Sequence, residues 1–180
     1  MRRLNWLLLV STVACRHVDR ALPVPPTTGP VTIEGEWDEP DWSRVALREQ
    51  FVDDSGGLAR PSSEIRFLHD ATTLYVGLYA ADDNIQSIDA FEVSLDSLEL
   101  RVDATGKVSP TVPGLRVGID RDGTLDDPSN FDEEWVLELA IPLSATTLAP
   151  DHATTVRAKR CDTPKQGGER CGGWTGSIRL

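Results

Sequence analysis

Residues 133–142 have the sequence EEWVLELAIP, and this stretch is the clearest indication of the fold. Alternate positions hold large apolar side chains that face the same way: Trp135, Leu137, Leu139 and Ile141. Alternation with a period of two is typical of a β-strand with one buried face. Pro142 ends the run, because proline has no N–H to donate to a neighbouring strand. We therefore predict a strand here, with one face in a hydrophobic core.

Further stretches along the chain have the same short amphipathic or β-branched character. They cover residues 64–70, 74–80, 89–96, 98–102, 114–119, 154–160 and 174–180. Turn-forming clusters such as DDSGG and DRDGT separate them. No stretch has a sustained helical period, and only ALREQF at 46–51 is ambiguous. The pattern predicts an all-β protein, an antiparallel sandwich with one face of each sheet exposed to water.

Composition limits both the number of domains and the classes of partner. The 180 residues are most simply one domain. Hydrophobic residues make up 39% and charged residues 26%, which describes a soluble globular protein. The formal net charge of −11 argues against nucleic acid as a partner, because binding to phosphates needs a basic surface.

The N-terminus has the features of an export signal. Arg2 and Arg3 precede an uncharged run at 4–14 that is too short to span a bilayer. We predict a signal peptide over 1–14. Ala14 followed by Cys15 resembles the bacterial lipobox, which predicts lipidation of Cys15, with ordinary signal cleavage as the alternative. The protein is then exported and anchored to the outer membrane or cell envelope.

Two further predictions follow from the exported location. Residues 15–30 hold four prolines and are predicted to be an extended tether, with the domain covering 31–180. Cys161 and Cys171 remain as the other cysteines. An oxidising compartment makes a disulfide the expected state of such a pair, and a metal site lacks a second pair or a nearby histidine.

Four segments, taken in order, resemble one known family. They are VTIEGEWDEPDWSRV at 31–45, SSEIRFLHDATTLYVGLYAADDNI at 62–85, DAFEVSLD at 89–96 and DGTLDDPSNFDEEWVLELAIPLS at 122–144. Together they resemble the family 9 carbohydrate-binding modules and their relatives in the DOMON-like superfamily, over about residues 31–180. The resemblance implies a β-sandwich of jelly-roll type that binds an oligo- or polysaccharide without catalysis. Such modules are often attached to glycoside hydrolases, so a link to polysaccharide degradation is expected.

The resemblance also implies aromatic side chains that stack on sugar rings, because pyranose C–H faces match a flat π surface. Trp174 follows two glycines beside the Cys loop and is the first candidate platform, with a core position in an edge strand as the alternative. Trp37 lies in a turn-rich segment where the family has a smaller apolar residue. It is predicted either to be exposed to a ligand or to cover the edge of the core.

Polar contacts to a sugar are predicted from strand faces. Arg157 and Lys159 share the face of their strand opposite Val156 and Ala158 and can donate to hydroxyls if this face forms the cleft. Glu92 on the strand 89–96 is a third candidate. A plain solvated strand face is the alternative for all three. The loop at 84–88, which helps to line the binding face in the family, is short here.

A structural calcium ion is the one cofactor that the sequence suggests. The segment DRDGTLDD at 120–127 concentrates carboxylates, and hard oxygen ligands at such density can hold calcium. The candidate ligands are Asp120, Asp122, Asp126 and Asp127, with simple solvated turns as the alternative. Haem is not expected, since a Met/His axial pair needs a methionine and the single one is Met1.

No pattern in the chain indicates catalysis. His69 and His152 lie near no nucleophile signature, and the G-x-S-x-G sequence is absent. The sequence therefore favours non-catalytic carbohydrate binding. The alternative is a surface structural or adhesion module that contacts protein, with calcium as a stabilising ion.

Overall fold

The structure, a computed structural model, describes residues 21–45 and 49–180. The signal peptide, Cys15, the first part of the tether and part of the ambiguous stretch 46–51 lie outside the described residues. Within the described ranges, no helix has the length and apolar character needed to cross a membrane.

Strands make up most of the regular secondary structure of the described chain. Its elements are β1 (Leu22–Pro23), α1 (Pro40–Arg44), β2 (Glu49–Gln50), β3 (Ser63–His69), β4 (Thr73–Ala81), β5 (Ala90–Leu95), β6 (Leu98–Asp103), β7 (Val108–Ser109), β8 (Arg116–Asp122), β9 (Glu134–Pro142), a 3-10 turn (Leu143–Ala145), β10 (Thr154–Asp162) and β11 (Arg170–Arg179).

The strands form two sheets. Sheet 1 has the order β1-β11-β10-β5-β6-β7, and sheet 2 has the order β2-β3-β4-β9-β8. The named strands pair antiparallel apart from the short β1, which runs parallel to β11. The predicted antiparallel β-sandwich is confirmed.

The core lies between the inner faces of the two sheets. Trp135 of β9 is fully buried, and its ring centroid lies 4.9 Å from that of Phe91 on β5. Phe51 packs edge-on against Phe91, with ring centroids 6.0 Å apart. Apolar residues at alternate strand positions thus fill the space between the sheets, and the positions between them point outwards.

Residues 31–45 cross the outer face of sheet 2, and two glycines of that sheet make room for them. The Trp37 ring lies against Gly77, where an added Cβ would be 2.9 Å from the ring. The backbone at Glu34 lies so close to Gly118 that a Cβ there would overlap it. Gly35 itself has a φ of +101°, which favours glycine over other residues.

A buried carboxylate fixes this crossing segment. Glu138 of β9 is fully buried and accepts hydrogen bonds from the backbone N–H groups of Glu34 and Gly35, at 3.1 and 3.0 Å. It also accepts one from Trp42 Nε1 at 3.0 Å. Burial raises the pKa of Glu138, while these donors oppose the rise. Glu138 therefore links the opening segment of the resemblance to the sequence EWVLELAIP through three hydrogen bonds.

The predicted tether is wrong for residues 22–28, which belong to the sandwich. The N–H of Val24 donates to the Arg179 carbonyl at 2.8 Å, and the Val24 side chain is buried. The N–H of Thr27 donates to the His69 carbonyl at 2.8 Å. Prolines are tolerated in this stretch because it lies along a sheet edge, where missing N–H donors cost little. The domain therefore starts before Val31.

Candidate functional site

The outer face of sheet 1 carries an open groove of about 520 Å³, which we call the sheet 1 groove. Three of the predicted contact residues, Glu92, Arg157 and Lys159, line it together. All three are exposed, whereas Val156 and Ala158 face the core, as the alternation in the sequence predicts. The remaining lining residues are Val93, Ser94, Glu99, Leu100, Arg101, Ser109 and Pro110.

Strand register sets the order of side chains across this groove. In one row, Lys159 of β10 lies opposite Glu92 of β5, and Glu92 lies opposite Arg101 of β6. Two residues along the strands, a second row places Arg157 opposite Ser94. Directly opposed residues in an antiparallel pair project from the same face, so the groove alternates donors and acceptors over three strands.

Three of the charged side chains of the groove have no partner in the described structure and are free to bind a ligand. Among residues 21–45 and 49–180, neither Arg157, Lys159 nor Glu92 takes part in an ion pair or a side-chain hydrogen bond. Arg101 donates from Nη2 to the carbonyl of Ile88 at 2.7 Å, which holds its guanidinium over the groove. Unpaired guanidinium, ammonium and carboxylate groups on one face can bond the hydroxyls of a polyol.

A second hollow of about 270 Å³ continues the groove towards the disulfide. It shares Glu92, Arg101 and Lys159 with the groove and is bounded by Ile88 of the short loop 84–88. Cys161 also lines it, and its disulfide to Cys171 joins opposed residues of β10 and β11. The predicted disulfide is confirmed and ties the end of the hairpin beside the groove.

Trp174 is not an exposed platform in the structure. It lies within β11 opposite Ala158, on the inner face of sheet 1, and is 8% exposed. Its ring packs 5.7 Å from that of Phe67 on the opposite sheet. The two glycines before it lie within β11 instead of forming a loop, so the strand alternation turns Trp174 into the core. Of the two alternatives for this residue, the structure selects the core position.

Trp37 is half-buried on sheet 2, on the opposite side of the sandwich from the groove. It stacks on Trp42 at a centroid distance of 5.9 Å, and the Arg66 guanidinium lies 4.1 Å from its ring centre. It lines a hollow of about 560 Å³ together with the acidic residues Glu36, Glu64, Asp120 and Glu134. The structure therefore separates both predicted aromatic residues from the three polar ones.

The four carboxylates predicted to hold calcium do not converge. Asp120 and Asp122 lie on β8, whereas Asp126 accepts a hydrogen bond from the N–H of Ser87 at 2.8 Å. Asp127 caps its own turn by accepting from the N–H of Ser129 at 2.9 Å. Local turn bonds and links to other loops thus separate these side chains, and the predicted site at 120–127 is not assembled.

Three other carboxylates meet where the sheets join. Asp82, Asp89 and Asp162 are buried within 4.8 Å of one another, and Arg160 donates to Asp82 and Asp162 at 2.7 and 2.9 Å. Burial raises the pKa of Asp162 to about 7 and that of Asp89 to about 6, and the neighbouring carboxylates add to both increases. Trp135 Nε1 also donates to Asp82, at 3.3 Å, so the cluster anchors a core residue.

The sequence interpretation did not single out two features of the surface. Arg101 and Ser94 belong to the groove, and alternation in their strands places them on its face. Phe131 is 80% exposed at the loop end of the sandwich, with Lys165 Nζ 5.0 Å from its ring centre. The segment DDPSNF at 126–131 has no periodicity from which its exposure could be predicted.

Comparison with known proteins supports the fold. No protein-family model matches the chain, and no curated protein matches it. The solved structure of a family 9 carbohydrate-binding module from Caldicellulosiruptor kristjanssonii in complex with glucose is similar, with a TM-score of 0.62 and 16% identity over 89% of this chain and 95% of that one. A module of the same family and organism in complex with cellotriose has a TM-score of 0.58 and 14% identity, covering 88% and 84% of the two chains.

These similarities extend over most of the chain and agree with the two-sheet architecture. The fold implied by the four sequence segments is confirmed. The chain therefore has the β-sandwich fold of the family 9 carbohydrate-binding modules.

Proposed function

We propose that the protein binds carbohydrate without catalysis and that the sheet 1 groove is its binding site. One observation carries the proposal: three polar residues predicted as sugar contacts, Glu92, Arg157 and Lys159, line one open groove. Their donors and acceptors suit hydroxyl pairs on a sugar ring. The neighbouring structures in complex with glucose and cellotriose support a saccharide as the class of ligand.

Titration calorimetry of the full chain against a panel of soluble neutral and acidic oligosaccharides tests this function. We expect heat from at least one glycan and no new products when the same mixtures are separated by chromatography. Glu92→Ala should weaken binding at least about tenfold, because Glu92 is shared by the groove and the adjoining hollow. Asp151→Ala, at an exposed loop position, is the matched control. Flat heats for every glycan with folded protein would contradict the proposal.

We further propose that the protein is exported and lipidated at Cys15, at the outer membrane or cell envelope, where it contributes to polysaccharide degradation. The disulfide between Cys161 and Cys171 supports an oxidising compartment. Labelling of cells with a clickable fatty acid should mark the wild-type protein and leave a Cys15→Ser variant unmarked. Equal labelling of both would contradict lipidation at this residue.

A further inference from the structure

The sheet 1 groove is locally basic on a strongly acidic protein. The whole chain has a formal net charge of −11, yet the groove presents three basic side chains against two acidic ones. The basic residues are Arg101, Arg157 and Lys159, and the acidic residues are Glu92 and Glu99. The adjoining hollow adds the acidic residues Asp89 and Glu169, so the basic excess is confined to the groove, where it favours an anionic ligand.

Arg157 is the basic residue of the groove with no acidic side chain directly opposite it. Its directly opposed neighbours are Ser94 on β5 and Thr175 on β11, and both carry hydroxyls instead of carboxylates. Lys159 and Arg101, in contrast, lie on either side of Glu92. In the described parts of the chain, the Arg157 side chain has no ion pair and no hydrogen bond.

A guanidinium between two hydroxyls is well suited to a carboxylate. The planar guanidinium binds both oxygens of a carboxylate through two parallel N–H bonds, and flanking hydroxyls can donate to the same oxygens. Lys159 projects from the same face two residues along β10, about 7 Å away, and adds a second positive charge. An acidic group entering the groove therefore finds one bidentate site and a nearby cation.

The groove offers no ring on which a neutral sugar could stack. Among the described residues lining the groove and its adjoining hollow, none is aromatic. The described tryptophans lie elsewhere: Trp37 and Trp42 on sheet 2, and Trp135 and Trp174 in the core. Stacking thus contributes nothing to selectivity in this groove, and polar and ionic bonds must supply it.

Resting on the proposed function, we propose that the groove selects acidic oligosaccharides, with the carboxylate of a uronic acid residue bound by Arg157 between Ser94 and Thr175. Lys159 and Arg101 attract the same ligand, and Glu92 and Glu99 accept hydrogen bonds from its hydroxyls.

Trigalacturonate and its methyl ester are matched probes, because esterification removes the negative charges and keeps the rings. In calorimetry of the full chain at low salt, trigalacturonate should bind at least about tenfold more tightly than its ester or cellotriose. Its affinity should fall as salt is raised, because ions screen the contact. Arg157→Gln should reduce trigalacturonate affinity at least about tenfold, and Arg116→Gln, on sheet 2, should leave it unchanged.

Circular dichroism checks that each variant is folded, and Lys159→Gln is a second groove variant that should weaken binding in the same direction. Equal affinity for trigalacturonate and its ester would overturn the selectivity while leaving carbohydrate binding intact. Trigalacturonate binding that survives both groove substitutions would overturn the assignment to Arg157. Binding of no glycan by folded protein would overturn the proposed function itself.

Discussion

At the scale of single residues, the cluster around Arg160 buries more acidic than basic side chains. One guanidinium serves Asp82 and Asp162, and Asp89 adds a third carboxyl group in the same space. Oδ2 of Asp162 is buried without a hydrogen-bond partner in the described structure. Burial of more acids than cations disfavours full ionisation, so the folded protein holds protons here that the unfolded chain releases.

This imbalance predicts how stability depends on pH. The pKa of Asp162 is raised to about 7 and that of Asp89 to about 6 by burial, against about 3.9 in an unfolded chain. Between about pH 4 and 7 the native state therefore binds more protons, and the free energy of unfolding should fall as pH rises through this window. The slope is at most about 1.4 kcal/mol per pH unit for each such proton. Urea denaturation over this range measures it.

Asp162→Asn is the variant that isolates the effect. The amide keeps an oxygen to accept from Arg160 and cannot ionise, so the slope should become shallower and stability at pH 8 should rise. Asp151→Asn, at an exposed site, should leave the slope unchanged. Identical pH profiles for wild type and Asp162→Asn would show that this carboxyl group titrates normally in the folded protein.

At the scale of elements, alternation predicted the strands well and failed where glycines interrupted it. The stretch 133–142 corresponds to β9 at Glu134–Pro142, and 154–160 corresponds to β10 at Thr154–Asp162. The strand predicted at 174–180 begins four residues too late, because β11 begins at Arg170 and runs through Gly172 and Gly173. Cys171, Gly172 and Gly173 have no apolar alternation, so the sequence alone does not predict that Trp174 faces inwards.

Local sequence patterns do not predict which segments that are distant in the chain come into contact. The sequence at 120–127 suggested calcium because its acids are close along the chain, yet turn hydrogen bonds keep them apart. The acids that do meet are Asp82 and Asp89, at the two ends of the loop between β4 and β5, and Asp162 at the end of β10. The groove residues could be predicted from the sequence because residues two positions apart on one strand share a face, as Arg157 and Lys159 do.

The segment that crosses sheet 2 gives a prediction at this scale. Gly118→Ala should destabilise the protein by about 2–4 kcal/mol, because the new Cβ overlaps the backbone at Glu34 and must displace the segment from its bonds to Glu138. Gly168→Ala is the control, since nothing lies within 4 Å of a Cβ there and its φ is not positive. Guanidinium titrations would compare the two. Equal midpoints would contradict close packing at Gly118.

At the scale of the whole molecule, the two broad faces of the sandwich differ in character. Sheet 2 is partly covered by residues 31–45 and carries the half-buried Trp37, whereas sheet 1 leaves a polar groove open. The resemblance of the sequence predicted the fold and suggested a saccharide as the ligand. Strand alternation predicted that Arg157 and Lys159 share a face that is exposed to water. Neither could show that the aromatic and polar candidates lie on different sides, because that depends on how two sheets stack.

The distance of the tryptophans from the sheet 1 groove predicts how tryptophan fluorescence responds to a bound ligand. None of the four described tryptophans lines the sheet 1 groove, so an oligosaccharide bound there should leave tryptophan emission unchanged while calorimetry records binding. A Trp37→Phe variant should keep the wild-type affinity for the glycan. Strong quenching that disappears in Trp37→Phe would instead locate the ligand on sheet 2.

The pairing of β1 with the C-terminal strand limits how far the sandwich would lie from a lipid on Cys15, if the proposed lipidation takes place. Leu22, where the chain pairs with β11, is seven residue steps after Cys15, and a fully extended chain of seven steps spans at most about 25 Å. With a lipid on Cys15, so short a linker would keep the sandwich within one molecular diameter of the bilayer. The protein would then sample only glycans that come to the membrane surface.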